Sequence, residues 1–153
     1  MFKSKLFIVA FLSIMISSCG SDEVLTPEQE NQKIESYIAA KKLVITEKTT
    51  DGLRFILTKA NTSGAKVVNG QTISVAYAGR LLTDKQFDAG NFSFVLGAKG
   101  AIDGFDKGVS KMRVGEKATL IFPSALGYGT RSQGSDIPAY SPLVFDIEVI
   151  SAR

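Results

Sequence analysis

The chain has 153 residues, of which 44% are apolar, and this length allows one modest domain around a single core. It carries 18 basic and 15 acidic side chains, one cysteine and no histidine. This composition excludes a disulfide within the chain, a histidine-based catalytic triad, a histidine metal site and a cysteine-rich zinc site. We therefore expect no metal and no cofactor.

The first residues have the pattern of an export signal. Lys3 and Lys5 precede an apolar run over residues 6–16, and small residues then lead to Cys19. The run is too short to cross a hydrocarbon core of about 30 Å, so a permanent transmembrane helix is not expected. Removal of Lys3 and Lys5 with residues 1–18 reduces the 18 basic residues to 16, against 15 acidic ones. The mature chain is then nearly neutral, and no nucleic-acid partner is expected.

The stretch Ile16-Ser17-Ser18-Cys19 resembles the bacterial lipobox, in which the chain is cut before a cysteine whose sulfur then carries diacylglycerol. The resemblance implies a lipoprotein signal peptide, lipidation of Cys19 and a membrane partner through that lipid. The alternative is an ordinary cleavage that leaves a free thiol, which is a liability in an exported protein. Gly20 replaces the aspartate that retains lipoproteins in the inner membrane of enteric bacteria. We therefore expect a lipid-anchored protein of the cell envelope, at the periplasmic or surface face of the outer membrane.

Residues 19–25 form a polar tether, and a helix start follows it. Thr26 can cap the helix, Pro27 suits the first helical position, and Gln29 completes a capping box. The pattern predicts an N-terminal helix over residues 26–42, of about four turns, with one face formed by Ile34, Tyr37, Ile38 and Lys41. This helix could dock on the domain or act as a spacer.

Residues 43–153 have the alternating pattern of strands. The apolar positions that share a face are Leu53, Phe55 and Leu57; Ile73, Val75 and Tyr77; Phe92, Phe94 and Leu96; Ala118, Leu120 and Phe122; and Leu143, Phe145, Ile147 and Val149. This alternation predicts an antiparallel sheet with one wet face.

Two segments depart from the strand pattern. Apolar residues recur at helical spacing at Ile102, Phe105, Val109 and Met112, which predicts a short helix against the sheet. Residues 123–142 are rich in Gly, Ser and Pro, and a loop of this length in a small domain is usually functional. The predicted fold class is α+β.

Several motifs, taken in order, resemble the FK506-binding (FKBP) type of peptidyl-prolyl cis-trans isomerase. They cover roughly residues 52 to 151 and include Val75-Ala76-Tyr77-Ala78-Gly79, Phe87-Asp88, Phe92-Ser93-Phe94-Val95-Leu96-Gly97, Ala101-Ile102-Asp103-Gly104-Phe105, Gly127-Tyr128-Gly129, Ile137-Pro138 and Leu143-Val144-Phe145-Asp146. The resemblance implies an FKBP-like twisted five-stranded antiparallel sheet wrapped around a short helix, within a domain at 43–153.

The resemblance also implies the site. Catalytic positions would be Asp88, Tyr128, Phe105 and Tyr77, and substrate-binding positions Phe87, Phe92, Ala101, Ile102, Ile137 and Phe145. Phe105 would be the floor of the pocket, and the Tyr128 hydroxyl and the Ile102 amide would donate hydrogen bonds to a substrate carbonyl. Partners would be proline-containing proteins or peptides and FK506-like macrolides.

Prolyl isomerisation needs no proton transfer, because the obstacle is an amide rotation barrier of about 18 to 20 kcal/mol sustained by resonance. An apolar pocket favours the twisted, less polar amide, and each 1.4 kcal/mol of preferential binding gives about a tenfold rate increase. Asp88 would then hold the Tyr77 hydroxyl at the rim of the pocket. The alternative is an ordinary turn carboxylate that caps local amides.

The chain departs from the usual family pattern at several positions. Phe105 replaces the more common Trp, Ala101 is smaller than the usual Val, Gln133 stands where His is common, and the segment between Asp88 and Phe92 is short. Two functions therefore remain open: an isomerase that accelerates proline-limited folding of exported proteins, or a chaperone or scaffold module that binds proline segments with weak or no catalysis. A structural envelope subunit is the least favoured function, because such a protein would have no use for the open aromatic pocket.

Overall fold

Two helices and six strands make up the computed structural model, which describes residues 24–153. The helices and strands are α1 (Pro27–Ala40), β1 (Glu47–Lys48), β2 (Arg54–Lys59), β3 (Thr72–Leu81), β4 (Gln86–Val95), α2 (Asp103–Val109), β5 (Lys117–Phe122) and β6 (Leu143–Ala152), with a short 3-10 helix at Ser124–Leu126. The predicted signal peptide 1–18, Cys19 and most of the predicted tether lie outside the described residues.

The strands form one antiparallel sheet in the order β1-β2-β5-β6-β3-β4. The predicted α+β architecture is confirmed, and the five long strands β2 to β6 account for the five that were expected. The sixth strand, β1, has only two residues: Glu47 pairs with Phe55 of β2, and Lys48 pairs with Arg54. Two residues are too few to produce a visible alternation in the sequence.

The inner face of the sheet packs against α2, and two glycines allow this helix to approach closely. A Cβ atom at Gly104 would lie 2.5 Å from the Phe122 ring, and one at Gly108 would lie 2.1 Å from the Leu120 side chain. Such distances are far below van der Waals contact. The close approach places Phe105 in the core, where only 4% of the residue is exposed.

The outer face is not uniformly wet, contrary to the prediction. Three residues of α1 pack on β2, β5 and β6 and form an outer cluster with the sheet, composed of Ile34, Tyr37, Ile38, Ile56, Ile121 and Val144. These strands contain consecutive apolar residues as well as alternating ones, which is typical of strands buried on both faces. The part that α1 leaves uncovered includes polar residues such as Ser74 and Ser93, which share a hydrogen bond of 2.7 Å, but Ile150 of β6 is also exposed.

The start of α1 matches its prediction. The Thr26 hydroxyl accepts a hydrogen bond from the Gln29 amide at 3.3 Å, and the Gln29 side chain accepts one from the Thr26 amide at 2.8 Å. At the other end Tyr37 donates to Asp84 at 2.9 Å, which ties α1 to the turn between β3 and β4. Of the two roles considered, α1 therefore docks on the sheet; the domain boundary at residue 43 stays a prediction. Within residues 24–153 no helix combines the length and hydropathy that a bilayer crossing requires.

Candidate functional site

An open cavity of about 450 Å³ lies between the sheet, α2 and the long loop. Nine of the ten predicted site residues line it, together with Lys99 and Gly100; the nine are Tyr77, Phe87, Asp88, Phe92, Ala101, Ile102, Phe105, Tyr128 and Phe145. A larger groove of about 830 Å³ lies between α1 and residues 48–54, but it has no aromatic residue in its lining. The aromatic cavity is the better candidate, because ligand sites are mainly apolar with a few converging polar groups.

The walls of the cavity come from the strands β3, β4 and β6. In the register of β3 and β6, Gly79 pairs with Phe145, and in that of β3 and β4 it pairs with Asp88. A Cβ atom at Gly79 would lie 2.6 Å from the Phe87 ring and 2.7 Å from the Phe145 ring. The absence of a side chain at Gly79 therefore allows these two rings to meet edge to face, 5.7 Å apart.

Phe105 is the centre of the aromatic cluster. Its ring meets four other rings edge to face at centroid distances of 5.3 to 6.2 Å, those of Tyr77, Phe92, Phe94 and Phe145. Edge-to-face pairs are favourable beyond the area that they bury. The ring is therefore fixed in orientation at the base of the cavity, as expected for its floor.

Asp88 binds Tyr77 at the rim. The Tyr77 hydroxyl donates to Asp88 Oδ2 at 2.6 Å, while Oδ1 accepts the backbone amide of Ala89 at 2.9 Å. The Tyr77 contact and the local capping bond, which were considered as alternatives, are thus both present, although Asp88 lies within β4 and not in a turn. The hydrogen bond to Asp88, with a smaller contribution from burial, raises the pKa of Tyr77 to about 12. The phenol therefore remains a donor across the whole range of ordinary pH.

We expect Asp88→Ala to lower the pKa of Tyr77 from about 12 toward the ordinary tyrosine value of about 10. Because the folded-state pKa is the higher one, the hydrogen bond stabilises the fold fully below about pH 10 and its contribution disappears as the pH rises through about 12. Spectrophotometric titration of the tyrosines measures the shift. Asp84→Ala is the matched control, since Asp84 accepts from Tyr37 instead. Equal Tyr77 titration in wild type and Asp88→Ala would contradict the assignment.

Two other donors at the cavity have no hydrogen-bond partner among residues 24–153: the Tyr128 hydroxyl and the Ile102 backbone amide. Burial, and then the charge of Asp88, raise the pKa of Tyr128, so its hydroxyl also stays protonated. Both groups are available to an acceptor in the cavity. This is the chemistry that a bound carbonyl oxygen requires.

The lining differs from the prediction at three positions. Ile137 is absent from it and lies instead in the core, 5% exposed, where its backbone pairs with that of Gln133 at 2.8 Å. Lys99 and Gly100 line the cavity but were not predicted, because they lie between the motifs that end at Gly97 and begin at Ala101. Within residues 24–153 no cluster of acidic or cysteine side chains could hold a metal ion.

Comparisons with known proteins agree with this geometry. The sequence model of the family described as FKBP-type peptidyl-prolyl cis-trans isomerase matches residues 63–150. The chain is 37% identical over 102 residues to peptidyl-prolyl cis-trans isomerase FKBP53 of Arabidopsis thaliana, covering 63% of this chain and 21% of that protein. It is 41% identical over 90 residues to FK506-binding protein 2 of Dictyostelium discoideum, covering 56% of this chain and 68% of that protein.

Two solved bacterial structures are also similar. FkpA from Escherichia coli superposes with a TM-score of 0.70 at 28% identity, covering 82% of this chain and 60% of that one. A peptidyl-prolyl cis-trans isomerase from Pseudomonas syringae pv. tomato superposes with a TM-score of 0.69 at 28% identity, covering 85% of this chain and 98% of that one. With a family match over more than half of its length, the chain belongs to the FKBP-type peptidyl-prolyl cis-trans isomerases.

Proposed function

We propose that this protein catalyses cis-trans isomerisation of Xaa-Pro bonds and that its substrates are proline-containing segments of exported proteins. The observation that carries the proposal is the aromatic cavity with two unpartnered donors at its wall, Tyr128 and Ile102. Its lining contains no histidine or cysteine, and the reaction needs neither. Slow prolyl isomerisation limits the folding of many chains, with unaided times of tens of seconds, so an exported catalyst would have a use.

The mechanism follows from what the cavity offers a planar amide. The apolar rings around Phe105 replace water beside the proline and disfavour the polar, resonance-stabilised planar form. The Tyr128 hydroxyl and the Ile102 amide hold the substrate backbone, and Asp88 keeps Tyr77 in place at the rim. A preference of about 4 kcal/mol for the twisted amide would accelerate rotation about a thousandfold.

An isomerase assay on a series of Xaa-Pro peptides tests this function. We expect wild type to accelerate cis-to-trans conversion, and Tyr128→Phe and Asp88→Ala each to lower kcat/KM by about tenfold, the effect of about 1.4 kcal/mol of lost transition-state binding. The matched controls are Tyr140→Phe and Asp136→Ala, both in the same loop but outside the cavity lining. Activity that falls only in proportion to the folded fraction in all four variants would contradict the assigned roles.

Binding without catalysis is the second candidate function, and Phe105 favours it. A phenylalanine floor has less area than an indole and has no N–H donor, so it can retain a proline ring while stabilising the twisted amide less. In that case the protein is a chaperone or scaffold for proline segments. Titration with a proline-containing peptide, or with an FK506-like macrolide, would then show binding while the isomerase assay shows no acceleration.

We further propose that the protein is a lipoprotein of the cell envelope, attached to the outer membrane through Cys19. The support is the lipobox-like sequence and the short distance in the chain between Cys19 and the start of α1 at Pro27. A tether of this length would keep the domain within about 30 Å of the bilayer surface, at no more than 3.6 Å per residue.

Cys19→Ala tests the anchor. We expect the variant to lose acyl label and to accumulate either as an uncleaved precursor or as soluble protein. Metabolic labelling with a fatty acid, followed by membrane fractionation, measures both properties. Ser21→Ala is the control, since it changes a small polar residue beside the same site. Unchanged labelling and membrane retention in Cys19→Ala would refute the lipoprotein assignment.

A further inference from the structure

Glu30 is a buried carboxylate that joins α1 to the loop of the candidate site. Only 4% of the residue is exposed, and the residue it binds, Ser124, is equally buried. Glu30 Oε2 accepts the Ser124 backbone amide at 2.6 Å, and Oε1 accepts the Ser124 hydroxyl at 2.7 Å. Both carboxylate oxygens are thus used on one residue, 94 positions away in the chain.

Ser124 in turn holds the backbone on both sides of Tyr128. Its carbonyl oxygen accepts the amide of Gly127 at 2.8 Å and the amide of Gly129 at 2.8 Å. Gly129 has a φ of +60°, a conformation that residues with a side chain rarely adopt, and its carbonyl accepts the Tyr140 amide at 2.8 Å. Tyr128 therefore lies in a tight turn that is held by the Ser124 carbonyl, and Ser124 is the residue that Glu30 binds.

No basic side chain forms an ion pair with Glu30 among residues 24–153. A buried carboxylate without a cation destabilises a fold unless hydrogen bonds replace its lost hydration. Attachment of α1 does not require this arrangement, because the outer cluster and the Tyr37–Asp84 hydrogen bond already hold the helix. Two charge-assisted hydrogen bonds from one residue to one carboxylate instead fix the position and orientation of that residue relative to the helix.

We propose that Glu30 is a positioning residue for Tyr128, acting through Ser124, so that α1 sets the geometry of the pocket. The proposal rests on the proposed isomerase function for its effect on rate, whereas its effect on the loop does not depend on activity. Glu30 lies outside residues 63–150, the part of the chain that matches the family. The proposal thus gives α1, which precedes the matched part of the chain, a role in the chemistry of the matched domain.

Hydrogen exchange of the full chain, followed by NMR, tests the link directly. We expect Glu30→Ala to accelerate exchange of the Gly127 and Gly129 amides by about tenfold, because opening of the turn becomes easier. Amides within β5 should exchange as in wild type. Glu30→Gln should retain most of the protection, since its carboxamide can accept from the Ser124 amide and donate to the hydroxyl. Glu28→Ala, an exposed carboxylate in the same turn of α1, is the matched control.

A double-mutant cycle tests the effect on the reaction. We expect Glu30→Ala to lower kcat/KM about fivefold in wild type but to have no further effect in a Tyr128→Phe background. Equal losses in both backgrounds, or Gly127 and Gly129 exchange unchanged in folded Glu30→Ala, would overturn the proposal. If Glu30→Ala does not fold, Ser124→Ala replaces it, since it removes one bond and leaves the outer cluster intact. A wild-type protein without isomerase activity would contradict the proposed function alone, while the exchange measurement would still decide the role of Glu30.

Discussion

Phe105→Ala is expected to lower the free energy of unfolding by about 3 to 5 kcal/mol and to abolish measurable isomerase activity. The ring is 4% exposed and contacts four other rings, so its removal leaves a void that these neighbours cannot fill without losing their own edge-to-face geometry. Denaturant unfolding measures the loss of stability. A decrease below about 1 kcal/mol would show that the cluster collapses into the space and that the ring does not organise it.

Phe105→Leu separates catalysis from stability, because it keeps an apolar side chain and removes only the flat face. We expect a large loss of kcat/KM with a smaller loss of stability. Phe94→Leu is the matched control, since Phe94 contacts the same cluster but does not line the cavity. Phe105→Trp should retain or raise activity and tighten binding of FK506-like ligands, because the indole adds apolar area worth about 25 cal/mol per Å². Full turnover in Phe105→Leu would show that Phe105 is an ordinary core residue whose aromatic face is not needed for catalysis.

Gly108→Ala is expected to destabilise the protein by about 1 to 3 kcal/mol or more, although Gly to Ala in a helix normally stabilises by about 0.5 to 1 kcal/mol. The added Cβ would lie 2.1 Å from the fully buried Leu120 side chain, so α2 must move away from β5. Such a movement also displaces Phe105, and kcat/KM should fall with stability.

Gly100→Ala serves as the control for Gly108→Ala. Its new Cβ would meet Phe94 at 3.5 Å, which is ordinary contact, and its backbone has no positive φ. Thermal unfolding of both variants provides the comparison. A stabilised Gly108→Ala protein would show that the separation of α2 and β5 is not set by this glycine.

Local patterns predicted the helices and strands well. The Thr26-Pro27-Glu28-Gln29 sequence predicted the capping box of α1, because capping depends on residues three positions apart. Alternation predicted the five long strands, and helical spacing predicted α2 with Phe105 facing the sheet. The aromatic lining of the cavity followed from motifs whose residues lie on those elements, and nine of its predicted members do surround one space.

Contacts between distant segments could not be predicted in this way. The position of α1 on the outer face depends on Ile56, Ile121 and Val144, which come from three strands and share no local motif. The Glu30–Ser124 contact joins residues 94 apart. The family resemblance predicted Ile137 in the cavity lining. The backbone bridge between Gln133 and Ile137, which determines how that part of the loop packs, was not predictable from the motif. Each of these depends on tertiary packing, which local periodicity does not encode.

The position of β6 determines when the fold can form. β3 and β5 are joined in the sheet only through β6, which follows both of them in the chain and pairs with each along most of its length. In a chain that has emerged from the ribosome only as far as residue 142, the strands β1, β2 and β5 share no sheet hydrogen bonds with β3 and β4, and the edges of β5 and β3 are exposed. Pairing across such long sequence separations is slow and is delayed until the final strand arrives. The sheet is therefore completed only after nearly the whole domain has been synthesised, because β6 supplies the hydrogen bonds that join β5 to β3.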